Sequence, residues 1–323
     1  MRILVTGGAG FIGSNFVRMS LLTEYERQVS SITVLDALTY AGNLDNLSDV
    51  QQNKKFDFVS GDIRDKVLVE KLVSQNEIVV NFAAESHVDR SILSAENFFS
   101  TNVIGTLTLL EAAKKNGIKR FIQVSTDEVY GSISEGVWTE DFPLKPNSPY
   151  AASKAAADLL CRSFFQTHGL PIIVTRCSNN YGPYQYPEKL IPLFVTNLIE
   201  GKQIPIYGKG ENIREWIHVD DHCKGIWATI NGGRIGEVYN LSSELESKNL
   251  EITNLILENM GCGQDRIDWV EDRLGHDQRY ALSCDKARSE LGFRAEITLE
   301  NGLASTISWY MSNQMWWKPL KIS

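Results

Sequence analysis

The segment Thr6-Gly7-Gly8-Ala9-Gly10-Phe11-Ile12-Gly13 narrows the folds open to this chain more than any other stretch. It stands directly after a β-branched run and directly before an amphipathic one. Its glycines recur as Gly8-x-Gly10-x-x-Gly13 and equally as Gly7-x-x-Gly10-x-x-Gly13. Residues without a Cβ let the backbone turn sharply from strand to helix and let phosphates approach the main chain. The helix that follows offers unpaired N–H groups and a positive dipole end, which suits a pyrophosphate. The glycine pattern alone is common; a preceding strand and a following helix are the context it requires. Asp36 closes the second predicted strand, 23 residues beyond Gly13. A carboxylate there accepts ribose hydroxyls and repels a 2′-phosphate, which favours NAD over NADP.

The first half keeps the rhythm this loop begins. Strands are predicted at 3–6, 32–35, 56–60, 78–82, 120–125 and 171–175, with helices at 11–22, 65–74, 95–116 and 150–167. Continuous apolar strands joined by helices form a parallel sheet covered on both faces, and right-handed crossovers make it doubly wound. The expected class is α/β, a doubly wound parallel Rossmann sheet with a smaller mixed α/β substrate-binding lobe. After the turn cluster Asn180-Tyr181-Gly182-Pro183 the rhythm changes. Strands near 215–219 and 238–241, around a helix at 220–231, are expected to return to the first sheet. Helices are also expected near 249–260 and 300–313. The domains are then 1–180 plus about 214–241 for the cofactor, and about 181–213 with 242–323 for the substrate.

Composition excludes several function classes. Lys+Arg is 32 against Asp+Glu 40, a net charge of -8 without a basic arm, so no nucleic-acid partner is expected. No apolar run reaches the ~18 residues of a membrane span. Ile3-Leu4-Val5 runs straight into glycines with no leader pattern, and the five cysteines are scattered and unpaired in spacing. A cytoplasmic protein with reduced thiols is expected. His218 and His222 lack the surroundings of a zinc motif, so no metal is expected, and Trp316-Trp317 reads as packing of the last segment onto the body.

Tyr150-Ala-Ala-Ser-Lys154 opens a helix, and the i, i+4 spacing sets Tyr and Lys one turn apart on one face. An adjacent ammonium would stabilise the phenolate and drop the Tyr150 pKa, giving a base for a hydroxyl about to lose hydride. Lys154 is also placed to hold a nicotinamide ribose, and Ser125, closing the preceding strand, to bond the reacting oxygen. Thr126-Asp127-Glu128 leaves that strand. Neighbours on a flat strand face opposite ways, so both acids meet one substrate only if the chain turns there, as Tyr130-Gly131 permits. Two carboxyls in one site cannot both ionise easily; one becomes acid and the other base, in an order the residues leave open. Asp62, at the end of the third strand, either binds an adenine edge or caps the next helix.

These segments together resemble the dTDP-glucose 4,6-dehydratase family of extended short-chain dehydrogenase/reductases. The matching stretches are 6–17, 35–43, 81–92, 124–132, 146–158, 176–194, 214–222 and 272–280. The adjacent acid pair separates this family from the epimerases and decarboxylases of the same fold. The resemblance implies NAD-dependent dehydration of dTDP-glucose to a 4-keto-6-deoxy sugar nucleotide, the alternative being a 4,6-dehydratase or 4-epimerase acting on a UDP-sugar. It implies Tyr150 as base toward the C4 hydroxyl with Lys154 as its partner, Thr126 as donor to the ketone, Asp127 as acid and Glu128 as base. It places NAD on Gly7, Gly10, Phe11, Ile12, Gly13, Asp36, Asp62, Ile63, Ala83, Ala84, Ser125, Tyr150 and Lys154. It places the sugar nucleotide on Ser86, His87, Asn180, Lys189, Leu190, Pro205, Tyr207, Arg214, Asn249, Arg273, His276 and Tyr280. Arg279 is a further candidate cation for the diphosphate. Two departures stand out: 242–249 lacks the usual glycine, and 131–139 is short. The family also implies a homodimer that pairs helices 95–116 and 150–168 into a four-helix bundle.

Overall fold

The computed structural model describes residues 1–273 and 275–321. Leu274, inside the 272–280 segment, and the last two residues of the 242–323 lobe lie outside them. Seven strands form the central sheet: β1 (Arg2–Thr6), β2 (Ser31–Asp36), β3 (Phe56–Ser60), β4 (Ile78–Asn81), β5 (Arg120–Thr126), β6 (Ile172–Cys177) and, after three others, β10 (Val238–Leu241). Their order is β10-β6-β5-β4-β1-β2-β3, every pair parallel. The order reverses between β1 and β4. In a sheet of this kind the crevice outside the carboxyl ends at that point is where ligands bind. One apolar core lies on each face. The first is built from residues such as Ile3, Phe16, Ile122 and Trp227, the second from Leu4, Val79, Phe121 and Cys161.

The intervening strands are β7 (Asn179–Tyr181), β8 (Ile204–Tyr207) and β9 (Ile213–His218), and β11 (Glu246–Lys248) and β12 (Ile267–Val270) follow β10. Here one expectation fails. The strand near 215 does not return to the central sheet; β9 pairs with β7 and β11 in a separate three-stranded sheet, while β8 pairs with β12. β9 lies parallel to β7, which leaves β6 after a single residue, and antiparallel to β11, so both of its own edges are taken in the second sheet. A third core, including Tyr181, Phe194, Ile252, Tyr310 and Trp317, holds this smaller region together. Buried Trp317 fits the packing role expected of the last segment.

The helix expected over 95–116 is interrupted. A turn at Glu96–Phe98 leads into a π-helical segment, Phe99–Gly105, before the α-helix Thr106–Asn116. Asn102 explains the wider turn. Its side chain leaves the helix to clamp the Glu85 peptide, accepting from Glu85 N (2.8 Å) and donating to Glu85 O (3.0 Å) and Ser153 Oγ (2.8 Å). Such single π turns commonly mark functional sites.

Candidate active site

A cavity of about 680 Å³ opens at the carboxyl ends of β1, β4 and β5 and runs into the smaller lobe. All the residues assigned above to catalysis, cofactor and substrate line it. Arg279 does not; it is held outside by Glu246 (Nε to Oε2, 2.6 Å) and the Gly136 carbonyl.

The glycine loop forms one end. A Cβ at Gly13 would stand 2.3 Å from Gly7 O, and one at Gly7 2.6 Å from Ala83 N at a left-handed φ of 69°. The loop is thus closed against β4 as tightly as backbone allows. Asp36 accepts from Ala9 N (2.9 Å) and Leu38 N (2.8 Å), which leaves each carboxylate oxygen a further lone pair toward the cavity. Burial raises its pKa. Asp62 is held by Arg64 through its Nε (2.9 Å) and backbone N (2.8 Å). It is Asp65 that caps the Lys66–Gln75 helix. The cradle, the ribose-facing acid and Ala83 and Ala84 beyond it fit an adenine dinucleotide.

The other end carries the reactive groups. Thr126 terminates β5, and the chain winds into a 3-10 turn over Asp127–Tyr130, which brings both carboxyls to the same cavity. Tyr130 pins that turn by donating to Asn240 Oδ1 (2.9 Å) and accepting from Arg176 (2.8 Å). Thr126 Oγ1 donates to Asp127 Oδ1 (3.1 Å) and accepts from Glu128 N (3.3 Å). Asp127 Oδ2 and Ser125 Oγ are buried without partners. Burial, then the Glu128 and Glu215 carboxylates, hold the Asp127 pKa well above the ordinary range. Burial raises Glu128 too, opposed by Arg214, Lys189 and Arg273.

Tyr150 enters on the helix Pro149–His168, which Ser148 caps and Pro149 starts. The expectation that Lys154 depresses its pKa is not met. Lys154 Nζ donates to Val124 O (2.7 Å), and its own pKa is lowered by burial. Tyr150 instead rises well above the usual phenol value through burial and the negative charge of Glu128. The i, i+4 spacing sets both residues on one helix, but burial and then Glu128 decide the direction of the Tyr150 shift.

Cations surround the far side. Lys189 donates to Ser86 O (2.9 Å), and Arg214 on β9 donates to Asp277 O (2.8 Å) and stacks over Tyr280 at 4.3 Å. Arg273 pairs with Asp89 (3.0 Å) and lies over Tyr207. His276 meets Asp272 (2.7 Å), and burial lowers its pKa. Asn249 keeps a buried Oδ1 without a partner. Asn180 is fixed by His222, whose Nδ1 lies 2.8 Å from its Oδ1. His87 caps the Val88–Leu93 helix, its pKa lowered to about 4 by burial and Lys189. His218 accepts from Asp220 N (3.2 Å).

Several lining residues were not singled out from the sequence. Tyr40 faces the cavity beneath the Arg90 guanidinium (4.0 Å), and Glu188 meets Arg90 (3.3 Å) and His87 (3.5 Å). Both fall inside the family-like segments, and that was their only signal. A lone loop acid reads as solvated.

Compared with known proteins, the chain matches the family model described as GDP-mannose 4,6 dehydratase over residues 4–306. It is 54% identical to a dTDP-glucose 4,6-dehydratase of Streptomyces niveus, over 99% of this chain and 96% of that one. The solved dTDP-glucose 4,6-dehydratase of Streptomyces venezuelae, with NAD bound, superposes with a TM-score of 0.98 at 53% identity, covering 99% and 100% of the two chains. That of Bacillus anthracis, also with NAD, gives 0.92 at 48%, covering 99% of each.

Proposed function

The chain belongs to the dTDP-glucose 4,6-dehydratase family of extended short-chain dehydrogenase/reductases, and from that premise we propose how its own residues carry the reaction. It is a hydro-lyase that converts dTDP-glucose to dTDP-4-keto-6-deoxyglucose and water, with NAD as cofactor. The observation that carries the reading is the Asp127–Tyr130 turn, which sets two carboxyls beside Tyr150 in a cavity that also holds a dinucleotide cradle.

Tyr150 takes the proton of the C4 hydroxyl as C4 is oxidised, and Thr126 and Ser125 bond the ketone oxygen. That ketone acidifies the C5 hydrogen, which Glu128 removes as base. Asp127, kept protonated by burial and its acidic neighbours, gives its proton to the C6 hydroxyl, which leaves as water. Bound NAD would supply a hydride acceptor, a cationic ring that favours the phenolate, and the hydride returned to C6, and a proton delivered at C5 completes the product. The glycine loop, Asp36, Asp62, Ile63, Ala83, Ala84 and Lys154 hold it. Lys189, Arg214 and Arg273, with Asn180, Asn249, His276 and Tyr280, hold the diphosphate and sugar. Leu190, Pro205 and Tyr207 flank the base, while Ser86 and His87 stand near the hexose.

The cofactor domain is 1–180 with about 214–241, and the substrate domain about 181–213 with 242–323. The separate third core supports the second unit, and Val219, Cys223 and Trp227 in the first core support the split assignment. The working form is a cytoplasmic homodimer joined through helices 95–116 and 150–168. Among the described residues no helix is long and apolar enough to cross a membrane.

The test offers dTDP-, UDP-, GDP- and CDP-hexoses with only catalytic NAD and reads product mass. Loss of one water from dTDP-glucose without net NADH is expected. Isomerisation without mass change would remove the roles given to Asp127 and Glu128.

A further inference from the structure

The reaction above leaves the C-terminal tryptophans unused, yet one of them reaches the glycine loop. Ala9 O accepts from Asn46 Nδ2 (2.8 Å) and Asn43 N (3.0 Å), so the outer wall of the phosphate loop rests on Asn46. Asn46 is 2% exposed, and its Oδ1 accepts from Trp316 Nε1 (2.9 Å), 270 residues away in sequence. Arg18, on the helix the loop opens, donates to Asn46 O (2.6 Å) and lies over the Tyr184 ring at 4.2 Å. Tyr184 packs in turn on Trp309 (4.5 Å) and Trp316 (5.5 Å).

Tyr184 has a φ of 66°, a left-handed conformation that favours glycine and persists in other residues only where the surroundings enforce it. The next two residues, Gln185 and Tyr186, line the cavity. Tyr186 sets its ring edge-on to Tyr40 (5.6 Å), in the loop that follows Asp36. The opposite side of this strap is tied to the smaller lobe, because Tyr310 donates to Gln185 O and Tyr186 to Leu320 O (3.1 Å). The strap therefore bridges the ribose-side loop and the C-terminal helices.

We propose that Trp316, acting through Asn46, and the Tyr184–Tyr186 strap form a latch that keeps the dinucleotide resident while sugar nucleotides exchange through the same cavity. This rests on the reading of NAD as a cofactor regenerated in each cycle, which has no need to leave. Trp316 is a positioning residue: it touches the wall of the loop, not the reacting atoms.

Protein loaded with radiolabelled NAD is diluted into excess unlabelled NAD at room temperature, and retained label is followed with time. Trp316→Phe keeps the ring and deletes the N–H, leaving Asn46 Oδ1 buried without its donor. Its release is expected to be roughly tenfold faster than wild type, the cost typical of an orphaned buried group. Turnover at saturating NAD and KM for dTDP-glucose stay as in wild type, whereas a general loosening of the fold would move both. Tyr184→Gly, which relaxes the backbone but removes the ring, also releases faster. Met315→Ala, at a side chain 88% exposed beside Trp316, releases at the wild-type rate. Wild-type release rates in both Trp316→Phe and Tyr184→Gly would overturn the latch. A wild-type protein that retains no label would overturn the resident-cofactor reading, which is a distinguishable result.

Discussion

Asp127 holds one carboxyl oxygen against Thr126 and leaves the other buried without a partner. A protonated carboxyl so placed has a donor free for a leaving hydroxyl. Asp127→Asn preserves the shape and removes the proton. Elimination is expected to fall about 100-fold or more, the range of general acid catalysis. Deuterium from solvent should still wash into C5, because Glu128 and Tyr150 are intact; product formed at the wild-type rate would refute the acid role. Glu215 on β9 acts on the same group from further away. It is 2% exposed, accepts from Ser242 and Leu282 N (3.1 Å), and burial with the nearby Glu246 and Glu244 raises its pKa to about 7. Unfolded, it ionises near its ordinary value of 4.5. Between those two values the folded protein holds a proton that the unfolded chain has lost. The contribution of Glu215 to stability is therefore fully present below about 4.5 and is lost as pH rises through 7, by on the order of 3 kcal/mol. Glu215→Gln should flatten that decline, read as urea midpoints at pH 5 and pH 8. An unchanged slope would place the titration elsewhere.

At the scale of elements, the strand-to-helix turn at the glycine loop is set by backbone contact. Gly13→Ala places a methyl 2.3 Å from Gly7 O, and carbonyl oxygen in a closed loop has nowhere to move. We expect the purified variant to carry far less NAD and to melt several degrees lower, by about 1–3 kcal/mol of overpacking strain. Full retention of NAD would show that the loop tolerates opening. The elements legible in the sequence were those whose signals are local: this loop, Asp36 at its strand end, and the helix read over 150–167 that carries Tyr150 and Lys154. The turn after Thr126 was legible only as a condition, that both acids can share a site if the chain bends. What stayed hidden depends on partners distant in sequence. The π turn exists because Asn102 clamps the Glu85 peptide, β9 lies outside the main sheet because β7 and β11 take both its edges, and Glu188 matters because it meets His87 and Arg90. Tyr150 shows the same limit in electrostatics. Its lysine was readable at i+4, whereas Glu128, which dominates the charges around its phenol, reaches it only through the fold.

For the whole molecule, the homodimer proposed above rests on where apolar surface lies. The helix Pro149–His168 packs against Thr106–Asn116, and each leaves part of its surface uncovered. On the first, Ala152, Ala156, Leu159 and Ser163, spaced four, three and four, are among the residues left less than fully buried, with Leu160 and Arg162 next to them. That is the repeat of a knobs-into-holes seam, with small residues that permit close approach. Beside it lie Val103, Ile104 and Leu107, with Ile104 50% and Leu159 56% exposed. In the proposed dimer these two helices would meet the same two helices of a second copy, and a twofold axis would make the contact self-matching. The pairing would cover the π turn that steadies Glu85 and the helix that presents Tyr150, so it also stiffens the site from behind. The expected mass in light scattering at micromolar concentration is twice that of the 36.3 kDa chain. Leu159→Glu combined with Ile104→Asp puts four like charges into the seam of a dimer and should give a folded monomer. Because Tyr150 and Lys154 ride on one of the seam helices, that monomer should lose turnover more than it loses bound NAD. A monomeric wild type, or a dimer indifferent to these charges, would remove the bundle from the description.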